Sequence, residues 1–220
     1  MKSVAIIDYG LGNIFSVKHA CEYCGMKALV TNAPRDIQNA SAIILPGVGA
    51  FGKALADLKA FDLEGVLIEE IKKGKPFIGI CLGMQLLMTQ SHEFGQHKGL
   101  DIITGSVLPL REKFGTAQNL KVPHIGWNAI FSEEKHDRWG NTLLSGIPQG
   151  TSMYFVHSFY CAPENNELVL SRTEYGGFRF ATAIQSDNVY GFQFHPERSG
   201  ASGIAIYQNL SKMISRGGAS

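Results

Sequence analysis

The side chain with the clearest chemical potential is the thiol of Cys81, which lies in Phe77-Ile78-Gly79-Ile80-Cys81-Leu82-Gly83-Met84-Gln85. The apolar run before it predicts a strand, and the residues after it predict a helix. A nucleophile at such a tight turn needs small neighbours, and Gly79 and Gly83 stand two residues to either side. The turn would lift the sulfur above the sheet edge, where the first helical N–H groups favour a thiolate. The pattern predicts a nucleophilic cysteine; a buried structural cysteine at a strand end is the alternative.

A general base is predicted at the end of another strand, in Tyr190-Gly191-Phe192-Gln193-Phe194-His195-Pro196-Glu197. Positions i and i+2 of an extended segment face the same side, so Glu197 can bond one ring nitrogen of His195 and leave the other for a nucleophile. Nucleophile, base and orienting acid would then be Cys81, His195 and Glu197. The alternative for the tripeptide alone is a surface histidine beside a solvated carboxylate. The chain order Cys, His, acid differs from that of the α/β-hydrolases, which disfavours that fold.

Acyl transfer also needs donors aimed at a developing oxyanion. One candidate is the backbone N–H of Leu82, directly after the cysteine. The second is the N–H of Val48 in the loop Pro46-Gly47-Val48-Gly49, where two glycines allow the backbone to approach a substrate closely. An ordinary strand-to-helix turn is the alternative for this loop.

Short β-branched runs alternate with longer helical stretches, which favours an α/β fold with a doubly wound, mostly parallel central sheet and helices on both faces. Between residues 91 and 121 the pattern is weak; Arg111–Leu120 is expected to be an exposed loop, and Ala129–Gly150 loop and short strand. Strands are predicted at Val4–Asp8, Ala28–Thr31, Ser41–Leu45, Phe77–Ile80, Met153–Phe159, Leu168–Ser171, Ala181–Gln185 and Val189–Phe194. Helices are predicted at Ile14–Cys24, Phe51–Leu58, Phe61–Lys73, Leu82–Gln90 and Ile204–Ile214.

Length and composition predict one domain over residues 1–220, with 45% hydrophobic and 18% charged residues. The net charge of +1, from 20 basic and 19 acidic side chains, argues against a nucleic-acid or membrane-surface partner. No run is long and apolar enough to span a bilayer, and the N-terminal apolar run is too short for a signal peptide. A cytoplasmic protein with reduced thiols is therefore expected.

The remaining cysteines and histidines suggest no metal or cofactor. Cys21 and Cys24 lie in the first predicted helix, where packing is favoured over metal or redox use, and Cys161 has no partner in sequence. No histidine pair has metal-ligand spacing; the histidines concerned are His92, His97, His124, His136 and His157.

The three chemical segments together resemble the class I glutamine amidotransferases, and the likeness covers essentially the whole chain. The run Gly-Ile-Cys-Leu-Gly-Met-Gln marks that broad family. Five further segments resemble the glutaminase subunits of imidazole glycerol phosphate synthases, which act in histidine biosynthesis. These segments are Asp8-Tyr9-Gly10-Leu11-Gly12-Asn13, Pro46-Gly47-Val48-Gly49-Ala50-Phe51-Gly52, Pro123-His124-Ile125-Gly126-Trp127-Asn128, Tyr154-Phe155-Val156-His157-Ser158 and Gln193-Phe194-His195-Pro196-Glu197-Arg198-Ser199.

The resemblance implies an activity and a partner. Cys81 would attack the side-chain amide of L-glutamine to form a thioester, and His195 would protonate the leaving ammonia and then activate water. Three positions would hold the glutamine: Gly49, Gln85 and Ser158. Three others would face a cyclase of the (β/α)₈-barrel type in a heterodimer that receives the ammonia: Asn13, Trp127 and Arg198.

Two departures from the pattern leave other functions open. Phe159 stands where tyrosine is expected, and the segment 93–100 is unusual for the histidine-pathway subunit. A paralogous subunit that supplies ammonia for amination of surface sugars is therefore one alternative. A stand-alone γ-glutamyl cysteine hydrolase is a second, against which the loops 8–13 and 123–128 argue. A relative that binds without catalysis is a third, which an intact set of Cys81, His195 and Glu197 disfavours.

Overall fold

The computed structural model describes residues 3–114, 120–132 and 139–216. Its strands are β1 (Ser3–Ile7), β2 (Lys27–Thr31), β3 (Ala42–Gly47), β4 (Phe77–Cys81), β5 (Met88–Ser91), β6 (His97–Lys98), β7 (Ile103–Pro109), β8 (His124–Ile130), β9 (Thr151–His157), β10 (Phe159–Pro163), β11 (Val169–Tyr175), β12 (Phe178–Ser186) and β13 (Val189–Phe192). Its helices are α1 (Ile14–Tyr23), α2 (Pro34–Asn39), α3 (Phe51–Ala60), α4 (Leu63–Lys72), α5 (Leu82–Leu86) and α6 (Gly200–Arg216). Short 3₁₀ turns span Leu110–Lys113, Asn166–Leu168 and Pro196–Arg198.

A seven-stranded sheet in the order β11-β12-β13-β4-β3-β1-β2 organises the molecule. The four pairings from β13 to β2 are parallel, and β12 pairs antiparallel with both β13 and β11. Gly176 and Gly177, both with positive φ, form the hairpin turn between β11 and β12. The expected doubly wound, mostly parallel sheet is confirmed, with an antiparallel extension at one edge.

Helices cover both faces of this sheet because its strands alternate between two cores. In β1, Ala5 and Ile7 face the core that includes residues of α2, α3, α4 and α5. Val4 and Ile6 face the opposite core, which includes residues of α1 and α6. Central strands buried on both sides require continuous apolar runs, which is why β3 and β4 are buried along their whole length.

Two smaller sheets lie beside the main one. The first has the order β10-β7-β5-β6, and the second is the antiparallel pair β8-β9. A backbone hydrogen bond of 2.9 Å from His195 N to Tyr154 O ties β9 to the segment after β13. A bridge between Phe131 and Arg172 ties the β8 end to β11. These sheets therefore bring the middle of the chain to the carboxyl ends of β4 and β13.

Several element predictions were wrong in extent. The helix predicted at Leu82–Gln90 ends at Leu86, because Met88–Ser91 pairs with β7 instead. The strand predicted at Met153–Phe159 breaks at Ser158, and Phe159 begins β10. The loop prediction for 111–120 missed the 3₁₀ turn Leu110–Lys113, in which Leu110 is buried. Residues 115–119 and His136 lie outside the described residues.

Candidate active site

Cys81 lies where β4 meets α5, in a backbone conformation that only a tight turn requires. Its φ is 55° and its ψ is −107°. A Cβ at Gly83 would lie 1.8 Å from the carbonyl oxygen of Leu45, and one at Gly79 would lie 2.6 Å from the carbonyl oxygen of Gly83. Side chains at either position are thus excluded by backbone atoms that cannot move aside. The glycine spacing seen in the sequence has this steric cause, and the structure has the strand–turn–helix of a nucleophile elbow.

Polar groups surround the Cys81 sulfur, which is almost fully buried. Gln193 Nε2 lies 3.7 Å from Sγ and donates to it, and Sγ lies 3.7 Å from the carbonyl oxygen of Val156. The amide donor can stabilise negative charge on the sulfur, and the carbonyl accepts from a neutral thiol. Both protonation states of Cys81 therefore have a partner in place.

His195 is joined to Glu197 and is oriented by it. The distance from His195 Nδ1 to Glu197 Oε1 is 2.8 Å, and both side chains are buried. His195 Nε2 makes no hydrogen bond of normal geometry to the described residues. Burial by itself lowers the pKa of His195, but the neighbouring Cys81 sulfur and the Glu197 carboxylate outweigh it and raise that pKa to about 10. The arrangement favours an imidazolium at His195.

Asn13 contacts Glu197 directly, although the sequence placed it on a partner surface. Its Nδ2 donates to Glu197 Oε1 over 3.3 Å, and the residue is half-buried. The same carboxylate oxygen thus accepts from both Asn13 and His195, while Oε2 has no hydrogen-bond partner in the described ranges. Sequence alone gave no sign of this contact, because 184 positions separate the two residues.

A pocket of about 260 Å³ opens above Cys81. It is near the lower end of the range of small-molecule sites, which hold about 300 to 1,000 Å³. Six residues singled out in the sequence line it: Val48, Gly49, Cys81, Leu82, Gln85 and Ser158. The other lining residues are Glu93, Pro123, Val156, His157 and Phe159. The two halves of the predicted oxyanion site therefore meet at one cavity, to which the middle segments also contribute.

Glu93 is the pocket residue that sequence reasoning missed. It is buried, and its Oε2 accepts from the backbone N–H of Phe51 at the start of α3 over 2.5 Å. The sequence pattern is weak around Glu93, and nothing in it shows that the segment after β5 lies at the pocket. A buried carboxylate at this place can pair with the ammonium group of an amino acid.

Phe159 contacts its surroundings mainly through its backbone. Its carbonyl oxygen accepts from Gln85 Nε2 over 3.1 Å and lies 2.8 Å from His157 Nδ1. Its ring packs edge-on against exposed Phe94, with centroids 6.5 Å apart. The absence of a tyrosine hydroxyl at this position leaves these backbone contacts unaffected.

An exposed apolar surface lies on the β8–β9 sheet near the site. Ile125 and Trp127 are 60% and 57% exposed, and the Trp127 ring packs against Tyr154. Arg198, which follows Glu197, places its guanidinium 4.5 Å from the centre of the Tyr154 ring. Trp127 and Arg198, both predicted to face a partner, thus contact the same tyrosine ring.

Among the described residues, no cluster of three or more histidine, cysteine or acidic side chains is placed to hold a metal ion. No helix within those ranges has the length and apolarity to cross a membrane. The four thiols are free; those of Cys21 and Cys161 are buried, and burial raises the pKa of Cys21 to about 12.

Comparison with known proteins defines the class. Residues 5–211 match the family described as Glutamine amidotransferase class-I, so the chain belongs to the class I glutamine amidotransferases. The fold agrees. A solved glutamine amidotransferase superposes with a TM-score of 0.71 at 15% identity, covering 96% of this chain and 98% of that one. The PurLQS structure from Thermotoga maritima gives 0.70 at 19% identity, covering 97% and 100%.

Relatives of higher sequence identity are named as subunits of one particular enzyme. The chain is 42% identical over 210 residues to the imidazole glycerol phosphate synthase subunit HisH 1 of Legionella pneumophila, covering 96% of this chain and 99% of that one. It is 43% identical over 218 residues to the HisH subunit of Moorella thermoacetica, covering 99% and 98%. The resemblance inferred from five segments is thereby confirmed over nearly the full length of the chain.

Proposed function

We propose that this chain is the glutaminase subunit of an imidazole glycerol phosphate synthase, a single amidotransferase domain that hydrolyses L-glutamine and supplies ammonia to a cyclase partner. The observation that carries the proposal is Cys81 in the wall of a pocket sized for one amino acid, with the buried pair of His195 and Glu197 beside its sulfur. Full-length identity of about 42% to HisH subunits supports the pathway. The partner would make imidazole glycerol phosphate and its aminoimidazole carboxamide ribotide co-product.

The chemistry follows from the positions of three side chains. The Cys81 thiolate attacks the side-chain carbonyl carbon of glutamine, and the resulting oxyanion is held by the N–H groups of Leu82 and Val48. His195, as imidazolium, gives its proton to the leaving nitrogen as the C–N bond breaks, which releases ammonia and leaves a thioester. The neutral imidazole then takes a proton from water, whose attack on the thioester releases glutamate and restores the thiolate.

Pocket residues around the sulfur hold the substrate. The Glu93 carboxylate is suited to pair with the glutamine α-ammonium group, because it is the acidic side chain that lines the pocket. Gln85, Ser158 and the backbone of Gly49 offer neutral polar groups for the α-carboxylate and the amide. No metal or other cofactor takes part in these steps, since thiolate, imidazole and backbone dipoles supply all the groups required.

The partner would dock on the exposed surface beside the site. Ile125, Trp127 and Arg198 form an apolar and cationic patch, and Asn13 contacts Glu197, the residue before Arg198. Ammonia released into water would be protonated and diluted. A cyclase docked here would receive it directly, which is the physical reason to separate the two activities into two joined subunits.

Substitution of the thiol tests the proposal. In a complex with a bacterial cyclase subunit and its substrate, Cys81→Ala should abolish glutamate formation from glutamine while leaving folding and complex formation intact. Cys161→Ala is the matched control, because Cys161 is buried in β10 and does not line the pocket. A glutamine-analogue electrophile should label Cys81 and spare the other three thiols. Glutamate formation by the Cys81→Ala complex, or even labelling of all four cysteines, would refute the assignment.

A further inference from the structure

His124 and His157 form a buried pair, of which His157 lines the pocket, and neither takes part in the chemistry above. His124 Nδ1 is 3.0 Å from His157 Nε2, and His157 Nδ1 is 2.8 Å from the Phe159 carbonyl oxygen. Since a carbonyl only accepts, His157 Nδ1 must carry a proton. In a neutral ring its Nε2 is then an acceptor, so His124 Nδ1 donates to it. The two contacts fix the tautomer of both rings.

Burial keeps both rings neutral, as these contacts require. It lowers the pKa of His157 to about 3 and that of His124 to about 4. His124 is further confined between aromatic rings, 5.0 Å from the Phe155 centroid and 4.1 Å from that of Tyr175. Its donor is therefore held in one direction.

The hydrogen bonds continue from the pair to the pocket. The Phe159 carbonyl also accepts from Gln85 Nε2 over 3.1 Å. The same amide nitrogen lies 3.2 Å from Gln193 Oε1, and Gln193 Nε2 lies 3.7 Å from the Cys81 sulfur. All side chains in this series are buried. A continuous polar path thus leads from β8 to the nucleophile, and Gln85 stands in it with its amide oxygen left for a ligand.

We propose that His124 and His157 are positioning residues that hold the Phe159 carbonyl and, through it, the side chain of Gln85 in the glutamine pocket. This role rests on the proposed glutaminase function and deepens it. Gln85 and Phe159 both line the pocket, and the hydrogen bonds of the Gln85 amide go to Phe159 and Gln193 rather than directly to Cys81, His195 or Glu197. Without the histidines, Gln85 alone would hold the Phe159 carbonyl, and one of the two side-chain contacts that fix this carbonyl would be lost.

The hydrogen-bonded path begins at His124, next to the exposed surface of β8. His124 begins β8, and the next residue, Ile125, is among the most exposed apolar side chains of the described ranges. A partner that moves this strand would move the donor on His124 as well. The pair therefore joins the exposed β8 surface to the substrate-binding amide through buried hydrogen bonds.

Kinetics of the partner complex test the proposal. His124→Phe keeps an aromatic ring in the stack but removes the donor, and it should raise the KM for glutamine about fivefold, the effect of one neutral hydrogen bond. The kcat should change less than about twofold, because the triad is untouched. His157→Phe should raise KM at least as much, and the double variant no more than His157→Phe alone, since the path is broken once.

Tyr175→Phe is the matched control. It removes a hydroxyl from the same aromatic stack, where that hydroxyl donates to Lys121 O, and leaves the path intact. Its KM should equal that of the unsubstituted complex. An unchanged KM in both histidine variants, with only the unfolding temperature lowered, would overturn the proposal, as would independent, multiplicative effects in the double variant. An active unsubstituted complex separates this outcome from failure of the glutaminase function itself.

Nitrogen NMR of the unsubstituted protein gives a test that needs no folded variant. At neutral pH, both imidazoles should show protonated Nδ1 atoms, with His157 Nε2 as a hydrogen-bonded acceptor. An imidazolium signal from either residue, or a His157 ring protonated at Nε2, would contradict the positioning role.

Discussion

At the scale of single residues, the site depends on the balance between burial and pairing at His195. Burial in a low-dielectric surrounding disfavours an imidazolium, yet Cys81 and Glu197 lie on either side of the ring and reverse that preference. The buried neutral histidines His124 and His157 have no acidic partner and show the opposite shift. The protein interior therefore favours a charged imidazole at His195 and neutral imidazoles at His124 and His157.

The first prediction concerns the pH dependence of folding. His195 has a folded-state pKa near 10 against an ordinary 6.5, so the stability it contributes is full below about pH 6.5 and is lost as the pH rises through about 10. Cys81→Ala removes one of its two partners and should lower the pKa of His195. Histidine NMR titration and urea unfolding across this range measure both effects. Cys161→Ala should leave the His195 titration unchanged, and an equal shift in the two variants would contradict the pairing.

The second prediction separates the base from its orienting acid. In the partner complex, His195→Ala should reduce kcat by about 10² to 10⁴, the usual contribution of general acid–base catalysis. Glu197→Gln should reduce it less, because the amide disturbs the orientation and tautomer of His195 without removing it. Steady-state measurement of kcat for His195→Ala and Glu197→Gln tests this difference. Full activity of Glu197→Gln would show that Glu197 is a bystander.

The residues of the site differ in how far they could be predicted from sequence. Short local sequence patterns predict the proposed triad. A tight glycine-flanked turn indicates Cys81, and an extended tripeptide indicates His195 and Glu197. Glu93 has no such pattern, because its place depends on the pairing of β5 with β7 in a separate sheet. The contact of Asn13 with Glu197 likewise depends on packing between distant segments.

At the scale of elements, the junction of β4 and α5 positions Cys81, the proposed nucleophile. Leu45 of β3 pairs with Gly79, and its carbonyl oxygen lies against Gly83. The close approach of α5 to β3 is possible only without a Cβ at position 83. The location of Cys81 is thereby tied to the two central strands of the sheet.

The third prediction follows from this contact. Gly83→Ala places a methyl group 1.8 Å from the Leu45 carbonyl oxygen, so α5 must shift. We expect a loss of at least about 1 to 3 kcal/mol in the free energy of unfolding and loss of glutaminase activity in the complex. Gly65→Ala in α4 is the matched control: a Cβ there meets no atom within 4 Å, and it should stabilise the helix by up to about 1 kcal/mol. Equal effects in chemical denaturation would contradict this account.

Most elements of the main sheet could be predicted, because strands buried on both faces read as apolar runs. Periodicity failed where a strand begins directly after a short helix, as at Met88, since the apolar residues Leu86, Leu87 and Met88 fit either structure. It also failed in the smaller sheets. Their strands are short and partly exposed, and pairing between segments far apart in sequence, such as β7 with β10, determines them.

At the scale of the whole molecule, the candidate site borders an exposed surface. The loop that would supply one oxyanion donor, Gly47-Val48-Gly49, ends β3 and carries a half-exposed Val48. Gly49 has a φ of 113°, a conformation that glycine adopts readily. A peptide beside such a residue can turn between presenting its N–H and its C=O to a substrate. In the proposed function, partner binding would favour the N–H form.

Partner-dependent glutaminase activity is the sharpest test of whether this chain is the glutaminase subunit of a synthase. Loss of one oxyanion donor reduces kcat by about 10² to 10³, so the isolated chain should hydrolyse glutamine at least about a hundredfold more slowly than its complex with a cyclase subunit and the cyclase substrate. The measurement is the steady-state rate of glutamate formation with and without that partner, with Cys81→Ala as the blank. We expect strong stimulation by the partner that disappears in Cys81→Ala. Full activity in a verified monomer would contradict it and indicate a stand-alone hydrolase.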